Sequence, residues 1–177
     1  MSEVLKAIAQ RSSTRAYTAQ KLTGEELSTL IHAGLQAPTA TNRQEVHITV
    51  VKGGDPILAE IEQEMRATAN RKFPEQNFYY DAPVVLLLSA EKSFGWSPVD
   101  AGIAVENIAI AAQSMGLGSL IIGCIKGAMN GEKQESFASR LGFPQGYAFE
   151  IAIALGHKAA AKEPHTYSFK KNVTFID

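Results

Sequence analysis

The chain has 177 residues, 45% of them hydrophobic and 20% charged, with a formal net charge of -1. Length and composition fit one globular domain with a sizeable core, so residues 1–177 are read as a single domain. Near-neutral charge without a basic run argues against nucleic-acid or anionic-membrane partners and leaves a small molecule as the expected one.

Ser2 is placed to cap a first helix in which Val4, Leu5 and Ile8 share one face and are expected to pack. It runs to about Gln10 and delivers Arg11-Ser12-Ser13-Thr14-Arg15, two guanidinium groups and three hydroxyls in one turn. Guanidinium forks match a phosphate face and hydroxyls add neutral donors, so this turn reads as an anion receptor rather than a solvated bend. Thr23 and Glu26 form a capping-box pattern, followed by Leu27, Leu30, Ile31 and Gly34 at helical spacing up to the break before Pro38. The second helix thus delivers the small, polar segment Ala37 to Gln44. Val46, Ile48 and Val50 alternate with His47 and Thr49, a strand ending at Gly53-Gly54, on which His47 reads as a strand-face residue rather than a ligand.

Asp55-Pro56 starts a third helix with Ile57, Leu58, Ile61 and Met65 as its buried stripe, to about Asn70. Between Arg71 and Asp81 the periodicity stops and Phe73, Phe78, Tyr79 and Tyr80 cluster, which suits a surface crossover or a pocket wall. Pro83 to Ala90 is a near-continuous apolar run, predicted as a central strand covered on both faces. Ser97-Pro98 opens a long helix to Gly116, rich in alanine and apolar nearly all round, suited to close approach by other helices or a second subunit. Ser119–Cys124 is a short strand or extended segment, Glu135–Leu141 a short helix and Tyr147–Leu155 a further strand. Asn172–Ile176 reads as a terminal strand that needs a sheet to join.

The single cysteine, Cys124, excludes an intrachain disulfide, and with four scattered histidines no metal site is expected. Cys124 reads as a small core residue, not a nucleophile. The N-terminus lacks the apolar core of a signal peptide and no apolar run is long enough to span a membrane, so a cytoplasmic protein is expected. Gly116-Leu117-Gly118-Ser119 follows a helix and opens a strand, the reverse of a dinucleotide fingerprint, and reads as a helix C-cap.

Taken in order, these segments resemble the nitroreductase family of flavin mononucleotide (FMN) oxidoreductases over nearly the whole chain. The resemblance rests on Arg11, Ser13 and Arg15, on Ala37 to Gln44, on Asp100 to Asn107 and on Gly116 to Ser119. It continues through Ile121-Ile122-Gly123, Leu141-Gly142-Phe143-Pro144 and Ala154-Leu155-Gly156-His157. It implies an α+β, three-layer α/β/α fold with a mixed central sheet, and a homodimer in which the C-terminal strand is exchanged. It also implies FMN as bound cofactor and hydride transfer from NADPH or NADH to a flat electron-poor acceptor such as a nitroaromatic or quinone, by a ping-pong mechanism. No catalytic side chain is implied, because flavin N5 carries the chemistry. A non-catalytic flavin-binding or regulatory protein is the alternative, as is another flavin chemistry such as dehalogenation.

By the same resemblance, Arg11, Ser12 and Ser13 would hold the flavin phosphate and ribityl chain, and Arg15 would lie near N1 and O2. Pro38, Thr39 and Asn42 would reach the flavin of the partner subunit, and Asn70 and Lys72 would line its edge. Ile121, Ile122 and Gly123 would lie against one ring face with the Gly123 N–H pointing to N5, and Lys170 or Lys171 would add a phosphate contact. The chain departs from the family at Glu45 and Val46, where many members carry Pro-Trp, and in the short region holding Phe94 and Trp96.

Overall fold

The computed structural model describes residues 1–176. Seven helices and four strands follow in the order α1 Glu3–Gln10, α2 Gly24–Leu35, β1 His47–Lys52, α3 Pro56–Thr68, β2 Val84–Glu91, α4 Ser97–Ser114, β3 Leu117–Ile122, α5 Lys126–Met129, α6 Gln134–Arg140, β4 Tyr147–His157 and α7 Phe169–Asn172. A 3-10 turn, Ala40–Asn42, interrupts the loop before β1.

The strands form one sheet of order β1-β2-β4-β3, and every strand pair is antiparallel. The parallel element of the expected mixed sheet is confined to a lone bridge, Ser13 to Ser119. The predicted central strand is central: β2 is buried from Val84 to Ala90 and pairs with β1 and β4. Strand parity then sorts the core into two layers. Val85, Leu87, Ala152 and Ala154 face α3, α5 and α6 together with Phe149, Ile61 and Phe137. Leu86, Leu88, Ile153 and Leu155 face α2 and α4 with Leu30, Ala104 and Ile108. Helices on both faces of a sheet give the α/β/α layering that the resemblance implied.

Local chemistry accounts for the helix boundaries. Ser2 accepts from the Leu5 N–H, and Thr23 and Glu26 form both halves of the capping box. Asp55 accepts from Ile57 N–H ahead of Pro56. Gly116 takes φ +75 just past the α4 C-cap, the left-handed turn that glycine adopts without a Cβ clash. Ser97, expected to cap α4, instead lies inside its first turn, where its hydroxyl donates to the Glu91 carbonyl and ties the helix to the end of β2. α3 stops at Thr68, short of Asn70. The aromatic stretch proves to be a wall: Phe78 and Tyr79 are buried against α3, and Tyr79 lines a hollow of about 150 Å³ with Asp55, Leu58 and Glu62.

One expectation is corrected, and another finds no partner within the single chain. Val4, Leu5 and Ile8 do not pack; they are 64%, 54% and 48% exposed, and only Ala7 of α1 is buried. Asn172 ends the short helix α7, and Val173–Ile176 pairs with no strand here. The physical reason is the same in both cases, since each stripe is apolar but the chain itself offers no matching surface. Val99 and Ile103 of α4, together with Tyr167, Phe169 and Phe175 of the tail, add to this exposed apolar surface.

Candidate functional site

The anion-receptor turn is held on the edge of the sheet. The Thr14 N–H donates to the Ser119 carbonyl at 2.8 Å, which sets Ser13 beside β3. Further along, Tyr17 bridges Lys158, and its hydroxyl donates to the Thr14 and Ala154 carbonyls at 3.2 Å each. Burial pushes the Tyr17 phenol well above its ordinary pKa, so it stays a neutral donor. Alternation along the extended segment buries Thr14 and leaves Arg11, Ser13 and Arg15 outward of it. Thr14 packs so tightly on Gly118 that a Cβ there would meet Thr14 Cγ2 at 2.7 Å.

Arg11 is half-buried, and its Nε lies 3.7 Å from Glu106 Oε1 on α4, a loose ion pair. Arg15 makes no ion pair among the described residues and sits 5.9 Å from the Tyr80 ring centroid, so the end of the aromatic loop approaches the same edge. Ser12 turns away, its hydroxyl donating to the Lys162 carbonyl at 3.2 Å. At the far end of β3, Ile122 is buried, Ile121 is partly covered and Gly123 is exposed. A Cβ on Gly123 would meet only Ile151 Cδ1, at 3.5 Å, so its backbone is open to a flat ligand. Cys124 next to it is half-buried, and desolvation raises its thiol pKa, which fits an inert packing residue.

The second segment is built differently. Thr41, Asn42 and Gln44 all have positive φ, 54°, 55° and 55°, conformations that non-glycine residues hold only when neighbours over-determine them. The anchors are visible. Thr39 Oγ1 accepts from the Gln44 N–H at 2.9 Å, and the Ala40 N–H lies 3.1 and 3.0 Å from the two Asp100 carboxylate oxygens. Asp100 is 2% exposed in the first turn of α4. It is the residue the sequence reading missed, because a carboxylate there reads simply as a partner for the helix dipole.

The predicted residues therefore fall into separate groups. Arg11, Ser13 and Arg15 share an edge with Ile121, Ile122 and Gly123. Pro38, Thr39 and Asn42 belong to the loop that Asp100 holds at the first turn of α4 through the Ala40 N–H. Asp100 and Glu106 are six residues apart, hence about 9 Å along and about 120° around the helix axis. Asn70 and Lys72 are exposed on the loop after α3, and Lys170 and Lys171 are exposed on α7.

The donor set, two guanidinium groups and backbone left open beside a β-strand, fits a phosphate joined to a planar ring system. The architecture is that of FMN-bound nitroreductase structures. One from Desulfitobacterium hafniense is 33% identical, with 100% of each chain covered and a TM-score of 0.87. Another, from Bacteroides fragilis, is 26% identical with 100% of each chain covered and a TM-score of 0.89. A Bacillus subtilis protein named FMN reductase (NAD(P)H) is 28% identical over 93% of this chain and 70% of its own length. The model of the nitroreductase family matches residues 8–157. The chain belongs to the nitroreductase family. Among the described residues no helix is long and apolar enough to cross a membrane.

Proposed function

We propose that this chain is an FMN-dependent oxidoreductase that takes hydride from NADPH or NADH and passes it to a flat electron-poor acceptor, a nitroaromatic or quinone. The observation that supports it most directly is the Ser13–Ser119 bridge, which sets Arg11, Ser13 and Arg15 beside β3, the strand that ends at Ile122 just before Gly123. Bound FMN supplies a ring nitrogen, N5, able to accept and release hydride. Arg11 and Ser13 bind the phosphate and ribityl chain, with Lys170 or Lys171 as a further phosphate contact. Ser12 supports the turn through the Lys162 carbonyl, and Asn70 and Lys72 border the flavin edge. Arg15 stabilises negative charge at the N1 and O2 edge, where a fixed cation is worth most because it needs no reorganisation. The Gly123 N–H orients N5, and Ile121 and Ile122 shield one ring face from water. A cytoplasmic location suits a chain with one unpaired thiol and a nicotinamide donor.

The sequence carries a flavin cradle but no second nucleotide fingerprint, which supports a reading in which donor and acceptor use one surface in turn. Stopped-flow mixing with NADPH should bleach the visible flavin absorbance, and steady-state rates with a quinone should give parallel double-reciprocal lines. Intersecting lines would contradict the shared surface. Bound flavin that NADPH and NADH both fail to reduce would favour a non-catalytic flavin-binding protein. Arg15→Ala should slow flavin reduction more than it weakens nicotinamide binding, while changes at His47, His157 or Cys124 leave the step nearly intact.

The working unit is a homodimer with its C-terminal strand exchanged. The exposed stripe Val4, Leu5 and Ile8, the α4 residues Val99 and Ile103 and the unpaired Val173–Ile176 supply its apolar surface. A second copy would also bring Pro38, Thr39 and Asn42 to a flavin held by Arg11 and Ser13 of the first. Ile103→Glu should therefore yield monomers by sedimentation that have also lost FMN. A flavin-loaded monomer at micromolar concentration would overturn the shared site.

A further inference from the structure

Glu45 stands where many family members carry proline, and its surroundings are unusual. It is 7% exposed, and neither of its carboxylate oxygens has a hydrogen-bond donor among the described residues. Its carboxyl group lies within hydrogen-bonding reach of the Asp100 carboxyl, itself 2% exposed. Asp100 already turns both oxygens toward the Ala40 N–H. Two ionised carboxylates only accept, so in contact they repel and neither satisfies the other; with one proton between them they form a strong hydrogen bond. Arg43, a cation with only a small effect on Glu45, is paired with Glu91 at the end of β2 and stacked 4.4 Å from the Phe94 ring centroid.

We propose that Glu45 and Asp100 share one proton, and that this carboxyl–carboxylate pair latches the Pro38–Gln44 loop to the first turn of α4. Glu45 is the donor and Asp100 the acceptor, so the Asp100 oxygens go on accepting from the Ala40 N–H. Both are positioning residues, holding Thr41, Asn42 and Gln44 in left-handed conformations that would otherwise relax. The groups facing Glu45 agree. Desolvation raises its pKa most; its own backbone N–H, close to the carboxylate but outside hydrogen-bond geometry, lowers it, the Asp100 carboxyl raises it, and Arg43 lowers it least.

The sign of the pH dependence follows. A glutamate in the unfolded chain titrates near about 4.3, and Glu45 in the fold titrates above that. The contribution of the latch is complete below the unfolded value and is lost as pH rises toward the folded one. Glu45→Gln keeps a neutral donor at every pH, and Asp100→Asn can donate to an ionised Glu45 while still accepting from Ala40.

Thermal unfolding of the full chain, with saturating FMN and after its removal, tests the pair across a pH series. As pH rises above about 4.3, the wild-type Tm should fall behind that of Glu45→Gln by about 3 °C or more. Asp100→Asn should flatten the profile likewise and carries the test if Glu45→Gln does not fold. Curves for wild type and both variants that run parallel at all pH values would overturn the shared proton. A second arm, FMN affinity against pH, rests on the flavin reading above, and affinity should decline with pH in wild type but not in Glu45→Gln. A Tm gap with flat FMN affinity would uphold the latch and remove the Pro38–Gln44 loop from the flavin site; an affinity change with no Tm gap would overturn the latch.

Discussion

Replacing Arg11 by Ala should weaken FMN binding about 10- to 150-fold, the range for losing a hydrogen bond to a charged group worth roughly 1.5 to 3 kcal/mol. The structure explains why this residue outranks its neighbours. Its side chain is only 18% exposed, so its charge is less screened than that of the open Arg15. The guanidinium makes no hydrogen bond among the described residues, and its contact with Glu106 at 3.7 Å is long enough to leave the fork available. A phosphate would therefore displace a weak partner, not break a strong one. Arg11→Lys should recover part of the loss, since it restores the charge without the fork. Glu106→Gln should tighten binding slightly by removing the competitor. Quenching of flavin fluorescence gives the affinities, and an Arg11→Ala protein that binds FMN as wild type does would remove the phosphate assignment.

The parts of the fold that were legible in the sequence are those where the chain's own chemistry decides the outcome. The Thr23–Glu26 box, the Asp55-Pro56 start and the Gly116 stop each satisfy or release backbone groups within a few residues, so they hold whatever surrounds them. The apolar run Val84–Ala90, interrupted only by Ser89 and too short for a buried helix, reads as a strand buried on both faces. Stripes whose partner lies elsewhere were not legible. Val4, Leu5 and Ile8 show that α1 has an apolar face but not which surface covers it, and Val173–Ile176 has strand composition without a strand beside it. The anion-receptor turn could be read from residue types alone. Its alignment with β3 could not, because that depends on a contact between Ser13 and Ser119, more than a hundred residues apart. The Asp100 clamp and the Glu45 contact are long-range in the same way, and a lone carboxylate gives no sign of which distant N–H or carboxyl it will meet.

Gly118→Ala should cost FMN affinity about 5- to 150-fold while the sheet stays folded, although residue 118 touches no expected ligand group. The added Cβ would lie 2.7 Å from Thr14 Cγ2, 2.8 Å from Thr14 Oγ1 and 3.0 Å from Lys158 Cγ. Lys158 can swing away, since its Nζ reaches only to Gln113 through a flexible stem. Thr14 cannot, because its N–H is bonded to Ser119 and its carbonyl accepts from Tyr17. The overpacking, worth about 1 to 3 kcal/mol at a tight site, must therefore strip Thr14 from β3 and move Arg11, Ser13 and Arg15 with it. β3 itself is less affected, being paired to β4 from Leu117 to Ile122. The discriminating experiment is a double-mutant cycle. Thr14→Ala removes both clashing atoms, so Thr14→Ala with Gly118→Ala should bind FMN more tightly than Gly118→Ala alone, a coupling expected only if the two side chains compete for one space. Additive losses in the cycle would show that the close fit of Thr14 on Gly118 does not position the Arg11–Arg15 segment.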